Sequence, residues 1–216
     1  AISTSEQLYG GKVMRKQVYI SADYSEDHGD RNVVDVLNQW GTDNVRIVDF
    51  LDMSKVVSGS VSKDPDCRSC DLKREFNKQI NASSAVIFVV GDKTASRTAG
   101  TSCSRATEDQ RNCSCTPYKQ NVNGLKNCKV SVTSTPGLDD DVGNINTYSY
   151  LRHEFEQAKK RNKTIIIVYN STRKETGWLP GYMSGYESVA VPFWKMSDWG
   201  IKVGDYHNIK KALGYE

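Results

Sequence analysis

Short apolar runs alternate with amphipathic stretches along much of this chain. The runs are rich in β-branched and aromatic residues and predict strands at 17–21 (QVYIS), 45–50 (VRIVDF), 85–90 (AVIFVV) and 164–169 (TIIIVY). The last two are apolar at nearly every position, which is typical of strands that are covered on both faces. This pattern predicts a parallel sheet enclosed by helices.

Apolar residues at helical spacing separate these strands. They predict helices at 31–40, after the N-cap Asp71, at 150–161 and at 207–213, and a short strand is predicted at 189–191. Strands that alternate with helices indicate right-handed crossovers between parallel strands. We therefore expect a single α/β domain over residues 1–216, a flavodoxin-like three-layer sandwich with a central parallel sheet.

Two segments lack this regularity. Residues 51–71 form a long polar stretch and are a candidate lid, because loops of that length are usually functional or mobile. Residues 98–147, which are rich in Ser, Thr, Asn, Gly and Cys, are predicted to be an insertion. Since ligands of parallel sheets bind beyond the carboxyl ends of the strands, the loops after Ser21, Phe50 and Val90 are the expected binding region.

Composition and charge narrow the class of protein. The chain has 216 residues, 38% of them hydrophobic and 25% charged, as in ordinary globular domains. Its net charge of +3 includes no long basic run, and the densest basic cluster, at 159–163, ends a predicted helix, where cations complement the dipole. No apolar stretch approaches the roughly 20 residues that cross a bilayer. We therefore expect no nucleic-acid or membrane partner, and a cytoplasmic location.

Six cysteines raise the question of a metal site, and they lie at positions 67, 70, 103, 113, 115 and 128. Cys67 and Cys70 have the spacing of a zinc-ligand pair, and zinc could help a polar insertion to fold. The other spacings are irregular, so free thiols or disulfides formed in air are preferred and no metal site is predicted. The chain also lacks the glycine-rich dinucleotide fingerprint, the Walker A run and the Gly-x-Ser-x-Gly elbow.

Several segments carry a family resemblance: VYISADYSED at 18–27, DRNVV at 30–34, AVIFVVGDKTASR at 85–97 and YLRHEFEQAKKRNKTIIIVY at 150–169. The first resembles the first strand and loop of TIR domains. The others resemble the bacterial TIR-like family that includes the Thoeris antiphage defence proteins. In that family an apolar strand and Gly-x-x-Thr precede Trp-Val-x-Tyr-Glu-Ile, a basic turn and another apolar strand.

This resemblance implies an enzyme that hydrolyses or cyclises NAD at its nicotinamide–ribose bond, in signalling or antiphage defence. It implies NAD as substrate without a resident cofactor, homo-oligomers formed through TIR–TIR contacts, and an effector protein that responds to a nucleotide signal. Glu154 matches the catalytic glutamate of the family, where a carboxylate stabilises the oxocarbenium-like ribose.

Judged from its spacing alone, Glu154 is expected instead to pair with Lys159 or Arg161 on the solvent side of its helix. As a carboxylate at the edge of the buried face it is also expected to contribute little to stability, so Glu154→Ala should leave the fold intact.

Five residues are predicted to bind the nucleotide. Ser21, Asp23 and Tyr24 follow the first strand, and Arg31 and Asn32 open the first helix, where free amides and the helix dipole favour phosphate. The alternative is a capped turn over which Tyr24 packs.

Two other functions remain open at this stage. One is a non-catalytic TIR-like interaction module, which the large insertion permits. The other is a different flavodoxin-like enzyme that acts on a glycosidic bond, such as a nucleoside deoxyribosyltransferase, which also places a carboxylate beside a ribose. Fold alone does not separate these functions.

Overall fold

The structure is a computed structural model, and it describes residues 16–23, 29–42, 48–52, 69–98 and 148–215. All of the predicted insertion except Thr98 lies outside these residues, as does most of the candidate lid. Within the described part of the chain, no helix combines the length and the apolar character needed to cross a membrane.

A parallel sheet forms the centre of the molecule. Its strands are β1 (Lys16–Ser21), β2 (Val48–Asp52), β3 (Ala85–Val90), β4 (Thr164–Tyr169) and β5 (Val191–Pro192). They are arranged in the order β2-β1-β3-β4-β5, and every neighbouring pair is parallel. The predicted parallel sheet is confirmed, and this strand order is compatible with a flavodoxin-like fold.

Helices cover both faces of the sheet. They are α1 (Arg31–Thr42), α2 (Ser69–Ala82), α3 (Tyr150–Lys160) and α4 (Tyr206–Ala212). Apolar residues of α1 and α4 pack on one face, and those of α2 and α3 pack on the other. The order of the strands reverses between β1 and β3, so a crevice for a ligand is expected beyond the carboxyl ends of these two strands. We call this end of the sheet the carboxyl edge.

Several boundaries differ from the predictions, and the clearest differences are in β2, α2 and β5. Strand β2 continues to Asp52, past its predicted end at Phe50, because its pairing with β1 extends to Ile20 and Asp52. Helix α2 begins at Ser69, so Asp71 lies in its first turn and is not its N-cap. Strand β5 is shifted to Val191–Pro192, and proline is tolerated there because β5 is an edge strand.

A short antiparallel hairpin was not predicted. It consists of β6 (Trp194–Met196) and β7 (Lys202–Gly204), and Gly200 in its turn has a φ of +71°. Strands of three residues are too short to show a periodic pattern, so this hairpin could not be predicted from the sequence.

Aromatic packing attaches α3 to the sheet. Phe155 is fully buried, and its ring lies edge to face against Phe88 of β3 with 5.3 Å between the centroids. Tyr186, from the segment after β4, contacts the same ring at 5.4 Å. Phe155 therefore fixes α3, and the residues beside it on this helix, over the middle of the sheet.

We expect Phe155→Ala to lower the free energy of unfolding by about 3–5 kcal/mol, because it leaves a cavity between α3 and β3. Trp199→Ala is the matched control, since it also removes an aromatic side chain but from a position that is 90% exposed. This control should change the free energy by about 0.5 kcal/mol or less. Chemical denaturation measures both, and equal losses would contradict the packing described here.

Candidate functional site

Glu154 lies on the buried side of α3. The helical spacing of Leu151, Glu154, Phe155 and Ala158 places these residues on one face, and Glu154 is only 5% exposed. The carboxylate therefore points toward the sheet. The alternative in which it pairs with a cation on the solvent side of α3 is wrong.

Two hydroxyl groups of β1 hold this carboxylate. Tyr19 donates a hydrogen bond to Oε1 of Glu154, and Ser21 donates one to Oε2. Tyr19 and Ser21 are two residues apart on a strand, so their side chains point to the same face of the sheet. Because Ser21 is the last residue of β1, the carboxyl group lies at the carboxyl edge, beside the point where the strand order reverses.

These contacts show that Glu154 is a buried, hydrogen-bonded carboxylate, so Glu154→Ala is expected to lower stability more than a carboxylate at the helix edge would. Loss of the carboxylate would leave the buried hydroxyls of Tyr19 and Ser21 without this acceptor. An unsatisfied buried polar group costs about 1–3 kcal/mol. Glutamine, which retains an acceptor and nearly the same volume, is therefore the better substitution for tests of function.

Opposing effects determine the pKa of the Glu154 carboxyl group. Burial raises the pKa of its carboxyl from the ordinary 4.5 to about 7, while hydrogen bonds from Ser21 and Tyr19 and the positive charge of Lys73 act in the opposite direction. Both the neutral and the ionised carboxyl are therefore populated near neutral pH. A group of this kind is typical of functional sites.

A polar layer joins α2 to α3 next to Glu154. The Nε2 atom of His153 lies 2.8 Å from Oδ1 of Asn77, and Gln157 donates to Asn81 at 2.9 Å. Burial and the charge of Lys73 lower the pKa of His153 to about 3. His153 is therefore a neutral imidazole at neutral pH and supplies no positive charge to the site.

A second polar network occupies the carboxyl edge on the side of α1. The Asn170 amide donates to Oδ1 of Asp30 at 2.9 Å, and its oxygen accepts from Trp194 Nε1 at 2.7 Å. Burial raises the pKa of Asp30 to about 6. A Cβ atom on Gly91, the residue after β3, would lie 2.4 Å from Oδ1 of Asp30, so a larger residue there would have to displace this carboxylate. The network links the start of α1 to the ends of β3 and β4.

An ion pair connects the loop after β1 to the loop after β3. Nε of Arg97, which follows β3, lies 2.5 Å from Oδ2 of Asp23, which follows β1. The backbone oxygen of Asp23 also accepts from the amide of Asp30 at 2.7 Å. The ion pair thus joins the loop after β3 to the loop after β1, and the backbone hydrogen bond closes the loop after β1 on itself.

The five predicted nucleotide-binding residues are distributed over this edge. Ser21 contacts the candidate carboxylate, and Asp23 takes part in the ion pair described above. Asn32 exchanges amide hydrogen bonds with the residue after β4, at 2.9 and 3.1 Å, and Arg31 is exposed at the start of α1. Tyr24 lies outside the described residues. That these five bind a nucleotide stays a prediction.

Three residues of the site were not predicted from the sequence, although the position of each one in the sequence pattern indicates where it lies. Tyr19 precedes Ser21 by two positions, which places both on one face of the strand. Lys73 precedes Phe76 by three positions and so shares the apolar face of its helix. Asn170 directly follows a predicted strand, at the edge where ligands of parallel sheets bind.

No group of three or more His, Cys, Asp or Glu side chains able to hold a metal ion occurs among the described residues. The cysteines at 67, 103, 113, 115 and 128 lie outside the described residues, and the structure does not describe the Cys70 side chain. The interpretation of the cysteines stays a prediction.

The raised pKa of Glu154 has a consequence for stability. Because its folded-state pKa, about 7, lies above the unfolded value of 4.5, the stability contributed by this group falls as the pH rises from about 4.5 to about 7. Glu154→Gln removes this titration. Relative to the unsubstituted protein, we expect the free energy of unfolding of the variant to gain about 3 kcal/mol between pH 4 and pH 8.

Denaturant unfolding at several pH values measures this gain. Glu156→Gln is the matched control, because it makes the same change two residues along the same helix at a partly exposed position. A difference between Glu154→Gln and the unsubstituted protein that does not vary with pH would show that the Glu154 carboxyl titrates normally.

No protein-family model, curated protein or solved structure matches the chain. What the molecule does is therefore inferred from its residue pattern and from the geometry at the carboxyl edge of the sheet.

Proposed function

We propose that this chain is a TIR-like domain that cleaves or cyclises NAD at the nicotinamide–ribose bond, with Glu154 as the carboxylate that faces the ribose. One observation carries the proposal: the Glu154 carboxyl group lies at the carboxyl end of β1, beside the point where the strand order reverses. Open parallel sheets bind their ligands at this place.

The chemistry requires stabilisation of positive charge. Cleavage of the bond between C1′ and the pyridinium nitrogen releases neutral nicotinamide, so no acid has to protonate the leaving group. The ribose develops oxocarbenium character, which a nearby carboxylate stabilises. Water that adds to C1′ gives ADP-ribose and a proton, whereas attack by a nucleophile of the same NAD molecule gives a cyclic product.

The surroundings of Glu154 suit this role. Both hydroxyl donors, Tyr19 and Ser21, favour the ionised carboxylate that the reaction needs. An ionised carboxylate offers about four lone-pair sites, so two hydrogen bonds from β1 leave capacity for the hydroxyls of a ribose. The limited exposure of the group keeps water away and strengthens its electrostatic effect.

The proposal also covers the role of the reaction product and the assembly of the chain. A cyclic or hydrolysed nucleotide would serve as a signal for a partner effector protein, in signalling or antiphage defence within the cytoplasm. TIR–TIR contacts would join copies of the chain into a homo-oligomer. The five candidate residues of the β1–α1 region, Ser21, Asp23, Tyr24, Arg31 and Asn32, would bind the nucleotide part of NAD.

A second candidate is a non-catalytic TIR-like interaction module. It is favoured by the observation that both carboxylate oxygens of Glu154 already accept hydrogen bonds from within the chain and that the residue is only 5% exposed. In this case Glu154 would fasten α3 to β1 and no turnover would occur.

The decisive experiment follows nicotinamide release from NAD by chromatography with mass detection, with and without a crowding agent. We expect release by the unsubstituted protein, a loss of at least about 100-fold in Glu154→Gln, and unchanged release in Glu156→Gln. The rate should fall as the pH drops below about 7, because the ionised carboxylate is lost. The product mass separates hydrolysis from cyclisation.

Other results would favour a different catalytic residue or a different function. Full activity in Glu154→Gln would reject this residue as the reacting carboxylate. No release under any condition, together with unchanged self-association of Glu154→Gln, would favour the interaction module. Base exchange on deoxynucleosides without turnover of NAD would identify a deoxyribosyltransferase.

A further inference from the structure

The two oxygens of the Glu154 carboxyl group have different surroundings. Tyr19 donates a hydrogen bond to Oε1, and Ser21 donates one to Oε2. Both donors belong to β1, and successive residues on one face of a strand are roughly 6–7 Å apart along its length. Ser21 is the last residue of β1, so Oε2 is held at the carboxyl edge, whereas the donor to Oε1 lies deeper in the molecule.

Tyr19 is enclosed between the sheet and the helices α2 and α3. It is 0% exposed, and it belongs to the apolar cluster that contains Phe76 of α2 and Phe155 of α3. This packing fixes the ring and therefore the position of its hydroxyl group. Ser21 is equally buried, but it adjoins the partly exposed residues 22–23, whereas Tyr19 lies between buried neighbours. A ligand that enters at the carboxyl edge therefore meets Ser21 and Oε2 first.

The reaction proposed above needs one carboxylate oxygen at the ribose. A carboxylate stabilises an oxocarbenium-like C1′ best when it is already held in place, because no reorganisation is then required. The hydrogen bond at Oε1 restrains the rotation of the carboxyl group and leaves Oε2 directed toward the edge. The Ser21 hydroxyl can then exchange its bond to Oε2 for one to a ribose hydroxyl, since it both donates and accepts.

We propose that Tyr19 is a positioning residue that holds Oε1 of Glu154, that Oε2 is the oxygen that faces the ribose, and that Ser21 contacts the same ligand. The roles of Oε2 and Ser21 rest on the proposed function. The role of Tyr19 as the holder of the carboxylate is a property of the folded chain and is measured without turnover.

The test compares two substitutions that remove the same atom. Tyr19→Phe loses the hydroxyl but keeps the ring in its packing, so the fold is retained. Tyr169→Phe is the matched control, because Tyr169 is also 0% exposed and packs on the same face of the sheet. Its hydroxyl has no hydrogen-bond partner within the part of the chain that the structure describes. Only Tyr19→Phe therefore removes a hydrogen bond to Glu154.

The titration of Glu154 is followed by NMR of the side-chain carboxyl carbon in ¹³C-labelled protein, and its signal is assigned by its absence in Glu154→Gln. A donor to the ionised carboxylate favours that form, so its loss in Tyr19→Phe should raise the midpoint by about one pH unit. The midpoint should stay unchanged in Tyr169→Phe. Both variants retain the other charged and titratable groups on the elements around Glu154, which are Lys73, Arg152, His153, Glu156 and Tyr182.

Steady-state kinetics of nicotinamide release separate the roles of the two hydroxyls. In Tyr19→Phe we expect kcat to fall by about 10- to 100-fold with KM nearly unchanged, because the reacting oxygen is no longer held in position. The acid limb of the pH–rate profile should move to higher pH together with the NMR midpoint. In Ser21→Ala we expect mainly a higher KM, because a contact with the bound ligand is lost.

An unchanged midpoint in Tyr19→Phe, or an equal shift in Tyr169→Phe, would overturn the role of Tyr19. A higher KM at unchanged kcat in Tyr19→Phe would overturn the assignment of the two oxygens, because Oε1 would then face the ligand. If the unsubstituted protein releases no nicotinamide, the proposed function fails, while the NMR midpoints still decide whether Tyr19 holds the carboxylate. The two failures are therefore distinguishable.

Discussion

Strand β3 is buried at all six of its positions, and the arrangement of the other elements depends on this burial. Its backbone pairs with β1 on one side and β4 on the other, so its polar main-chain groups are satisfied within the sheet. Its side chains point alternately to both faces, and both are apolar. Each face must therefore be covered by helices, and the crossovers between parallel strands provide them.

The two helical layers differ in what they bury. The layer of α1 and α4 is apolar in its interior, and its polar groups are gathered around Asp30 and Asn170 at the carboxyl edge. The layer of α2 and α3 contains a buried ammonium, a buried carboxyl and a neutral imidazole within its packing. Buried charges are tolerated only where partners compensate their loss of water. The contacts of Lys73 and Glu154 fulfil this condition.

The position of these groups is as informative as their identity. Among the residues that the structure describes, the two carboxyls with clearly raised pKa values are Asp30 and Glu154, and they lie at the carboxyl edge, one on each side of the sheet. Asp30 holds the start of α1 against the ends of β3 and β4, which is a structural task. Glu154 joins α3 to β1 through Tyr19 and Ser21, and its burial disfavours the ionised carboxylate. Polar groups that are costly to bury are commonly retained at functional sites.

Much of the architecture could be read from the sequence alone. Consecutive apolar residues at 85–90 and 164–169 predicted buried parallel strands, and the spacing of Val33, Leu37 and Trp40 predicted α1, because such patterns depend only on the local repeat of a strand or a helix. The three-residue strands of the hairpin were not predicted, because they are too short to show a repeating pattern of apolar residues.

The sequence also identified Glu154 as a candidate, but only the tertiary structure decided its surroundings. Its hydrogen bonds to Tyr19 and Ser21 join residues that are 135 and 133 positions apart in the chain. No local pattern encodes a contact of that kind, because it arises when α3 packs across the end of β1. Burial, the partners of the carboxylate and its raised pKa all follow from that packing, whereas the choice of a strand or a helix follows from neighbouring residues.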